Sequence, residues 1–188
     1  MNPCEKLLDV AIGTADLAIE IVRQDKAKQI VGVDLSKEMI RIGTEKVSML
    51  QMSGRISFME GSALLLPFVD NSFDALTCAY GVRNFSDLDA GLREMRRVLK
   101  PNGQLMILEF SYPANKCIAW IYDLYFSRLL PAVGRWLSKD KTAYTYLNES
   151  VKNFIWGEEM LSHLKKAGFE APQFTTLSFG ITTVYRNI

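Results

Sequence analysis

The stretch LDVAIGTADLAIEIVRQDKAKQIVGVD, Leu8 to Asp34, decides the fold. An apolar run from Leu7 to Val10 stops at the turn signal AIGTAD, after which Leu17, Ile21 and Val22 recur at helical spacing. A second apolar run, Gln29 to Val33, ends at Asp34. The order is strand, glycine turn, helix, strand. Gly13 can take a backbone conformation that brings the chain close to a ligand, the amides at the helix start are donors, and Thr14 adds a hydroxyl. Asp34 lies about twenty residues further on, at a strand end, where a carboxylate can accept hydrogen bonds from both hydroxyls of a ribose. This spacing fits any nucleoside-bearing cofactor, and by itself it also fits a turn and a capping aspartate with no ligand.

Outward from this unit the alternation continues. Ser36 can cap a helix that places Met39, Gly43, Val47 and Leu50 on one face. Ile56 to Met59 reads as a third strand and Phe73 to Tyr80 as a fourth. Ser86 opens a helix with Leu88, Leu92, Met95 and Leu99 on one stripe, and Pro101, Asn102 and Gly103 stop it. Gln104 to Phe110 is a fifth strand. Strands alternating with helices predict an α/β, doubly wound and mostly parallel sheet with ligands at the carboxyl ends of its strands. A helical, aromatic insertion at about 112–155 breaks the rhythm before a helix over Glu158 to Ala167 and two last strands, Phe174 to Leu177 and Ile181 to Tyr185. That makes seven strands with helices on both faces, in a single domain over residues 1–188.

Composition narrows the functional classes. Lys and Arg number 22 against 21 Asp and Glu, so no global field draws the chain to nucleic acid or an anionic membrane. Cys4, Cys78 and Cys117 have the wide spacing of neither a disulfide framework nor a zinc site, which suits a reducing cytosol. His163, the only histidine, sits among the helical positions Met160, Leu161 and Leu164 and reads as structural. No metal site is expected, and no apolar stretch is long enough to span a membrane.

Two further stretches, EGSALLLPFVDNSFDAL (Glu60 to Leu76) and RRVLKPNGQLMILEFS (Arg96 to Ser111), make the chain resemble the class I methyltransferases, whose fold is Rossmann-like. The resemblance implies S-adenosylmethionine as cofactor and S-adenosylhomocysteine as product. It also implies a cofactor site of Ala11, Gly13, Thr14, Asp34 and Leu35, with Ser62 and Ala63 bracketing the adenine and Ala79 beside the methionine. A closer likeness rests on LDVAIGTADLA (Leu8 to Ala18), YGVRNFSDLDAGLREMRRVLKPNGQLMILEFS (Tyr80 to Ser111), YDLYFSRLLPAVG (Tyr122 to Gly134) and YTYLNESV (Tyr144 to Val151). These are similar to the menaquinone and ubiquinone C-methyltransferase family almost from end to end.

This closer resemblance implies C-methylation of a prenylated quinol ring, demethylmenaquinol first among the candidates. It points to Arg83 as the residue that stabilises a developing phenolate, and to Tyr80, Asn84, Tyr122, Asp123, Tyr125, Tyr144 and Tyr146 as substrate contacts. Pairing of Arg83 with a carboxylate such as Asp87 is the structural alternative. Asp123, Glu109 or water can serve as proton acceptor, and Tyr144 and Tyr146 are equally compatible with core packing. Ile118 to Trp136 reads as an apolar lid that receives the ring or rests on a membrane surface, or as plain packing. A cytoplasmic protein with peripheral membrane contact is expected, and a homodimer stays open.

Two departures stand out. Ala15 and Asn102 replace glycines of the family pattern, and the family's helical segment before the first strand has no counterpart, as in a truncated chain. If the backbone at position 15 has positive φ, alanine costs on the order of 1 kcal/mol there. Other readings are a methyltransferase for another small apolar acceptor, a nucleotide-binding assembly subunit without catalysis and, third, a nicotinamide dehydrogenase.

Overall fold

The computed structural model describes residues 1–113, 115–124, 150–151 and 154–187. Seven strands form one sheet: β1 (Cys4–Val10), β2 (Ala27–Asp34), β3 (Ile56–Glu60), β4 (Phe73–Ala79), β5 (Leu99–Phe110), β6 (Gln173–Leu177) and β7 (Thr182–Asn187). Their spatial order is β3-β2-β1-β4-β5-β7-β6. The first five run parallel, and β7 is antiparallel to both β5 and β6. The chain reverses its direction of winding between β1 and β4, so the crevice for a ligand lies above the carboxyl ends of those two strands.

Period-two alternation sends neighbouring residues of each strand into two separate cores. Leu7, Ile30 and Ala75 pack with Ile19 and Val22 of helix α1 (Asp16–Arg23) and Val47 of α2 (Lys37–Met49). Leu8, Leu76 and Ile107 pack on the opposite face with Leu92 and Met95 of α3 (Leu88–Val98) and Met160 and Leu164 of a later helix, Glu158–Lys166. Helices therefore cover both faces, as the pattern predicts. In chain order α4 (Lys116–Leu124) follows β5, and the Glu158–Lys166 helix is α5. His163 of α5 contacts Asp89 of α3 through Nδ1 at 2.5 Å, a structural link between the two helices.

Both ends of α3 differ from the sequence reading. Ser36 caps α2 as expected, its hydroxyl accepting from the Met39 amide, but α3 is opened by Asp87 rather than Ser86; the Asp87 carboxylate accepts from the Ala90 amide at 2.9 Å. The helix also ends before Pro101. Leu99 already has extended backbone and pairs with Phe73, whereas the next β4 pairing is Ala75 with Gln104. The segment Lys100–Gly103 is thus an extra loop of strand within β5 rather than a helix stop, held by contact of Lys100 with Asp74. Met39 and Leu50 stand partly exposed at the two ends of the α2 stripe, with Gly43 and Val47 buried between them.

At Gly32, in the middle of β2, a Cβ would lie 2.1 Å from Ile12 Cδ1 and 2.9 Å from Ile12 Cβ. Bare backbone here lets Ile12 lie over β2 and seat the turn after β1. Gly32→Ala is expected to destabilise the protein by ~1–3 kcal/mol, because the overpacked methyl must displace that turn. Urea unfolding of the purified variant checks this, and unchanged stability would refute the packing account.

Candidate active site

The turn after β1 is built from an unusual run of left-handed residues: Ala11, Gly13 and Ala15 have φ of 57°, 55° and 65°. Glycine takes this conformation freely, but alanine pays for the clash of its Cβ with the following carbonyl. The alanine at position 15 therefore sits in the strained backbone the sequence raised as a possibility. It is fully buried, starts α1, and offers no side-chain cap. Asp34 stabilises the arrangement from the end of β2. One of its carboxylate oxygens accepts the Gly13 amide at 2.8 Å and the other accepts the Ser36 amide at 2.9 Å. An ionised carboxylate has about four acceptor positions, so about two remain for a ligand.

Above this turn lies a cavity of about 540 Å³, within the roughly 300–1,000 Å³ of small-molecule sites. Ala11, Gly13, Asp34, Leu35, Ser62, Ala63 and Ala79 all line it, together with the candidate substrate residues Tyr80 and Asn84. Thr14 does not; its hydroxyl donates to Asp16 at 2.7 Å at the start of α1. Sequence reasoning missed Met39, Leu64, Phe85 and Ser86, which also line the cavity and belong to segments read only as helix or loop. The loop carrying Ser62 and Ala63 is fixed from α3: the Glu94 carboxylate accepts the Leu66 amide at 2.8 Å, and Arg97 donates to Glu94, Asp70 and the carbonyls of Leu66 and Phe68. A larger hollow of about 650 Å³ lies at the opposite, amino end of the sheet, walled by Cys4, Asp74 and Lys100. It holds none of the residues singled out for the cofactor or the substrate.

The far wall of the cavity is the tip of β4. Tyr80 has φ of 56°, a costly conformation for a tyrosine, and its ring lies 4.4 Å from that of Phe110 between centroids. Arg83 donates through Nη1 to the Tyr80 carbonyl and to Glu109 Oε1, the latter at 2.8 Å. The alternative pairing with Asp87 does not occur; Asp87 is the α3 cap and Glu109 takes the guanidinium. Arg83 is not on the cavity wall, and its Nε is buried with no hydrogen-bond partner among the described residues. Tyr122 is buried on α4, edge-on to Tyr112 at 5.7 Å. Tyr125, Tyr144 and Tyr146 lie outside the described residues, as does the side chain of Asp123.

With this geometry in view, the model of the ubiE/COQ5 methyltransferase family matches residues 1–188. The chain belongs to that family. A demethylmenaquinone methyltransferase of Porphyromonas gingivalis is 47% identical over 183 residues, 97% of this chain and 75% of that protein. A ubiquinone/menaquinone biosynthesis C-methyltransferase of Shewanella is 38% identical over 186 residues, covering 98% and 74%. A SAM-dependent methyltransferase structure from Aquifex aeolicus superposes with a TM-score of 0.69 at 17% identity, over 99% of this chain and 82% of that one, a likeness of fold. The chain is a class I, S-adenosylmethionine-dependent methyltransferase. Among the described residues no helix is long and apolar enough to cross a membrane.

The methyltransferase also buries a charge-bearing group that its sequence did not single out. Asp9, within β1 and two residues before Ala11, is 2% exposed and accepts from the Thr77 hydroxyl at 2.6 Å. Burial pushes its carboxyl up to about 7, the Thr77 bond opposes this, and the charge of Asp34 adds to it. The folded form therefore keeps a proton that the unfolded chain releases near 3.8. Stability contributed by this proton is full below that value and is lost as pH rises toward 7. Asp9→Asn retains the acceptor for Thr77 and removes the titration. The stability of the variant relative to wild type is expected to grow between about pH 4 and pH 7 and then level off. Urea unfolding across that range tests it; parallel curves would sink the assignment.

Proposed function

We propose that residues 1–188 act as a single domain that transfers a methyl group from S-adenosylmethionine to a ring carbon of a prenylated quinol, demethylmenaquinol in the first instance. The more similar of the two relatives named above carries the menaquinone name alone, which supports a naphthalene-type ring. The cavity suits the cofactor: Asp34 keeps free acceptor positions for ribose hydroxyls, Ser62 and Ala63 flank the space for the adenine, and Ala79 closes the methionine end. Ala11, Gly13 and Leu35 complete that wall, with Thr14 behind it at the helix start. When bound, the cofactor supplies an electrophilic methyl on a sulfonium.

The acceptor has to be the reduced ring. A quinone carbon is as electron-poor as the sulfonium methyl, whereas a quinol oxygen pushes electrons onto the neighbouring carbon as its proton leaves. The protein's task is to align carbon with methyl and to favour the phenolate. Arg83 is proposed for the second part, acting directly or through water. The observation that carries this is its placement: the cavity ends at Tyr80 and Asn84, and the guanidinium lies behind them with a buried Nε–H that has no partner among the described residues. Such an unmet donor costs about 1–3 kcal/mol, which an anionic oxygen or a water would relieve. Tyr80, Asn84, Tyr122, Asp123, Tyr125, Tyr144 and Tyr146 are proposed to contact the ring and its tail, with the segment of about 112–155 as cover. Release of the proton to Asp123 or to water, a cytoplasmic location and peripheral contact with a quinone-bearing membrane belong to the same reading.

Methyl transfer from labelled cofactor to chemically reduced demethylmenaquinol tests this. Wild type is expected to give labelled menaquinol, and Arg83→Ala to lose ~100-fold in kcat, the scale of one transition-state donor. Cofactor binding without transfer to this quinol would remove the substrate and leave the methyltransferase. Asp34→Ala is expected to weaken cofactor binding by at least ~10-fold in calorimetry, since charged hydrogen bonds contribute ~1.5–3 kcal/mol. Unchanged affinity would move the ribose elsewhere.

A further inference from the structure

We infer that Glu109 is the positioning residue for Arg83, a fixed point on β5 that sets both the guanidinium and the strained tip of β4 at the end of the cavity. The inference rests on the role proposed for Arg83 in phenolate stabilisation.

Glu109 lies in the interior of the sheet, between the β4 and β7 neighbours of β5, in register with Thr183. Its side chain is 1% exposed and that of Arg83 11%. Oε1 accepts Arg83 Nη1 at 2.8 Å and the Phe110 amide at 2.9 Å, while Oε2 accepts the Arg83 amide at 3.3 Å. One carboxylate thus holds both the backbone and the side chain of the same arginine. The guanidinium also lies 5.4 Å from the Phe110 ring centroid, and Phe110 carries Tyr80 on its ring. Carboxylate, ring and the Tyr80 carbonyl leave the guanidinium little freedom to turn.

Energetics argue that the pair is there for placement. Desolvating two charges roughly cancels their attraction, so a buried pair is seldom a net gain over apolar packing. What it does supply is a fixed direction for a planar donor. Tyr80 makes the case stronger. Its φ of 56° is strained, and the residue is 37% exposed, so burial of its ring is a weak compensation. Its amide donates to Leu108 at 2.7 Å and its carbonyl accepts from Arg83, so two neighbouring residues of β5, Leu108 directly and Glu109 through Arg83, pin this one residue. Burial pushes the Glu109 carboxyl above the usual carboxylate range, and the Arg83 guanidinium opposes that shift only in part.

The test compares full-chain Glu109→Gln, Glu109→Asp, Arg83→Ala and the Arg83→Ala/Glu109→Gln double variant, reading kcat, KM for quinol and cofactor affinity. Folding is checked by circular dichroism. Both Glu109 variants are expected to lose at least ~10-fold in kcat with cofactor affinity within about twofold of wild type, because a small misplacement of a reacting-site donor is costly. Glu109→Asp keeps the charge and loses the reach, so it remains informative should Glu109→Gln fold poorly. In the Arg83→Ala background Glu109→Gln is expected to add less than about a twofold further loss, the signature of two residues acting as one unit. Wild-type kcat in a folded Glu109 variant, alongside a crippled Arg83→Ala, overturns the inference while sparing the role of Arg83. A Glu109 loss that persists in full without Arg83 overturns it too, and wild-type kcat in Arg83→Ala overturns both readings.

Discussion

The carboxylate of Asp34 ties together the turns that follow β1 and β2, one oxygen on the Gly13 amide and the other on the Ser36 amide. Parallel strands have no hairpin between them, so their ends must be brought into register by other means. Here the Ile12 amide donates to the Val33 carbonyl, the Ile12 side chain fills the space over Gly32, and Asp34 locks the turn beyond. The cost is backbone strain at Ala11 and Ala15. The return is a gap between the starts of α1 and α2 in which backbone donors and a charged acceptor converge. Gly81, at the β4 tip, comes against the same turn, where a Cβ would lie 2.6 Å from that of Ala11. The turn after β1 and the tip of β4, two walls of the same cavity, are therefore mechanically joined.

Burial of charge is asymmetric along the sheet. At the amino end, Lys28 and Glu5 pair at 2.7 Å with both side chains more than two-thirds exposed, a contact that contributes little. Near the carboxyl end, Asp9 and Glu109 are almost wholly buried in the same sheet. Desolvated acids are expensive, and groups whose proton affinity is shifted by burial tend to cluster near functional sites. Both buried acids lie at the end of the sheet where the smaller cavity opens, although neither lines it.

How much of this is readable from the chain depends on the range of each interaction. Strand and helix order follows from local periodicity, and the Gly13–Asp34 unit from a spacing imposed by one β-α-β crossover. Asp34 accordingly reaches the cavity from the end of β2, while Ser62 and Ala79, which only the family resemblance pointed to, line it as well. Ser86 and Asp87 are both good caps one residue apart, so hydroxyl and carboxylate competed and only geometry chose. The Lys100–Gly103 segment contains the signals of a helix stop, yet strand pairing by Leu99 had already ended the helix. Asp9 was hidden in the otherwise apolar run from Leu7 to Val10, its burial being a property of β4 and its Thr77 hydroxyl. The partner of Arg83 was missed because Glu109 is distant in the chain and becomes a neighbour only once β4 and β5 pair.

That last contact joins two motifs that are separate in the chain. GVRN follows β4, and LEFS ends β5; neither holds both members of the pair. Parallel pairing of Ala79 with Leu108 brings the two together, so that Arg83 from the first is received by Glu109 from the second. The fold by itself is shared with the Aquifex protein at 17% identity and cannot specify an acceptor. The cavity wall is likewise made of backbone turns and small side chains that suit a nucleoside-bearing ligand in general. Arg83, proposed above to meet the phenolate, is a buried guanidinium oriented by Glu109, the Phe110 ring and the Tyr80 carbonyl. A positive group in that position favours an acceptor that becomes an anion as it reacts, which a phenol does and a neutral amine or hydrocarbon does not.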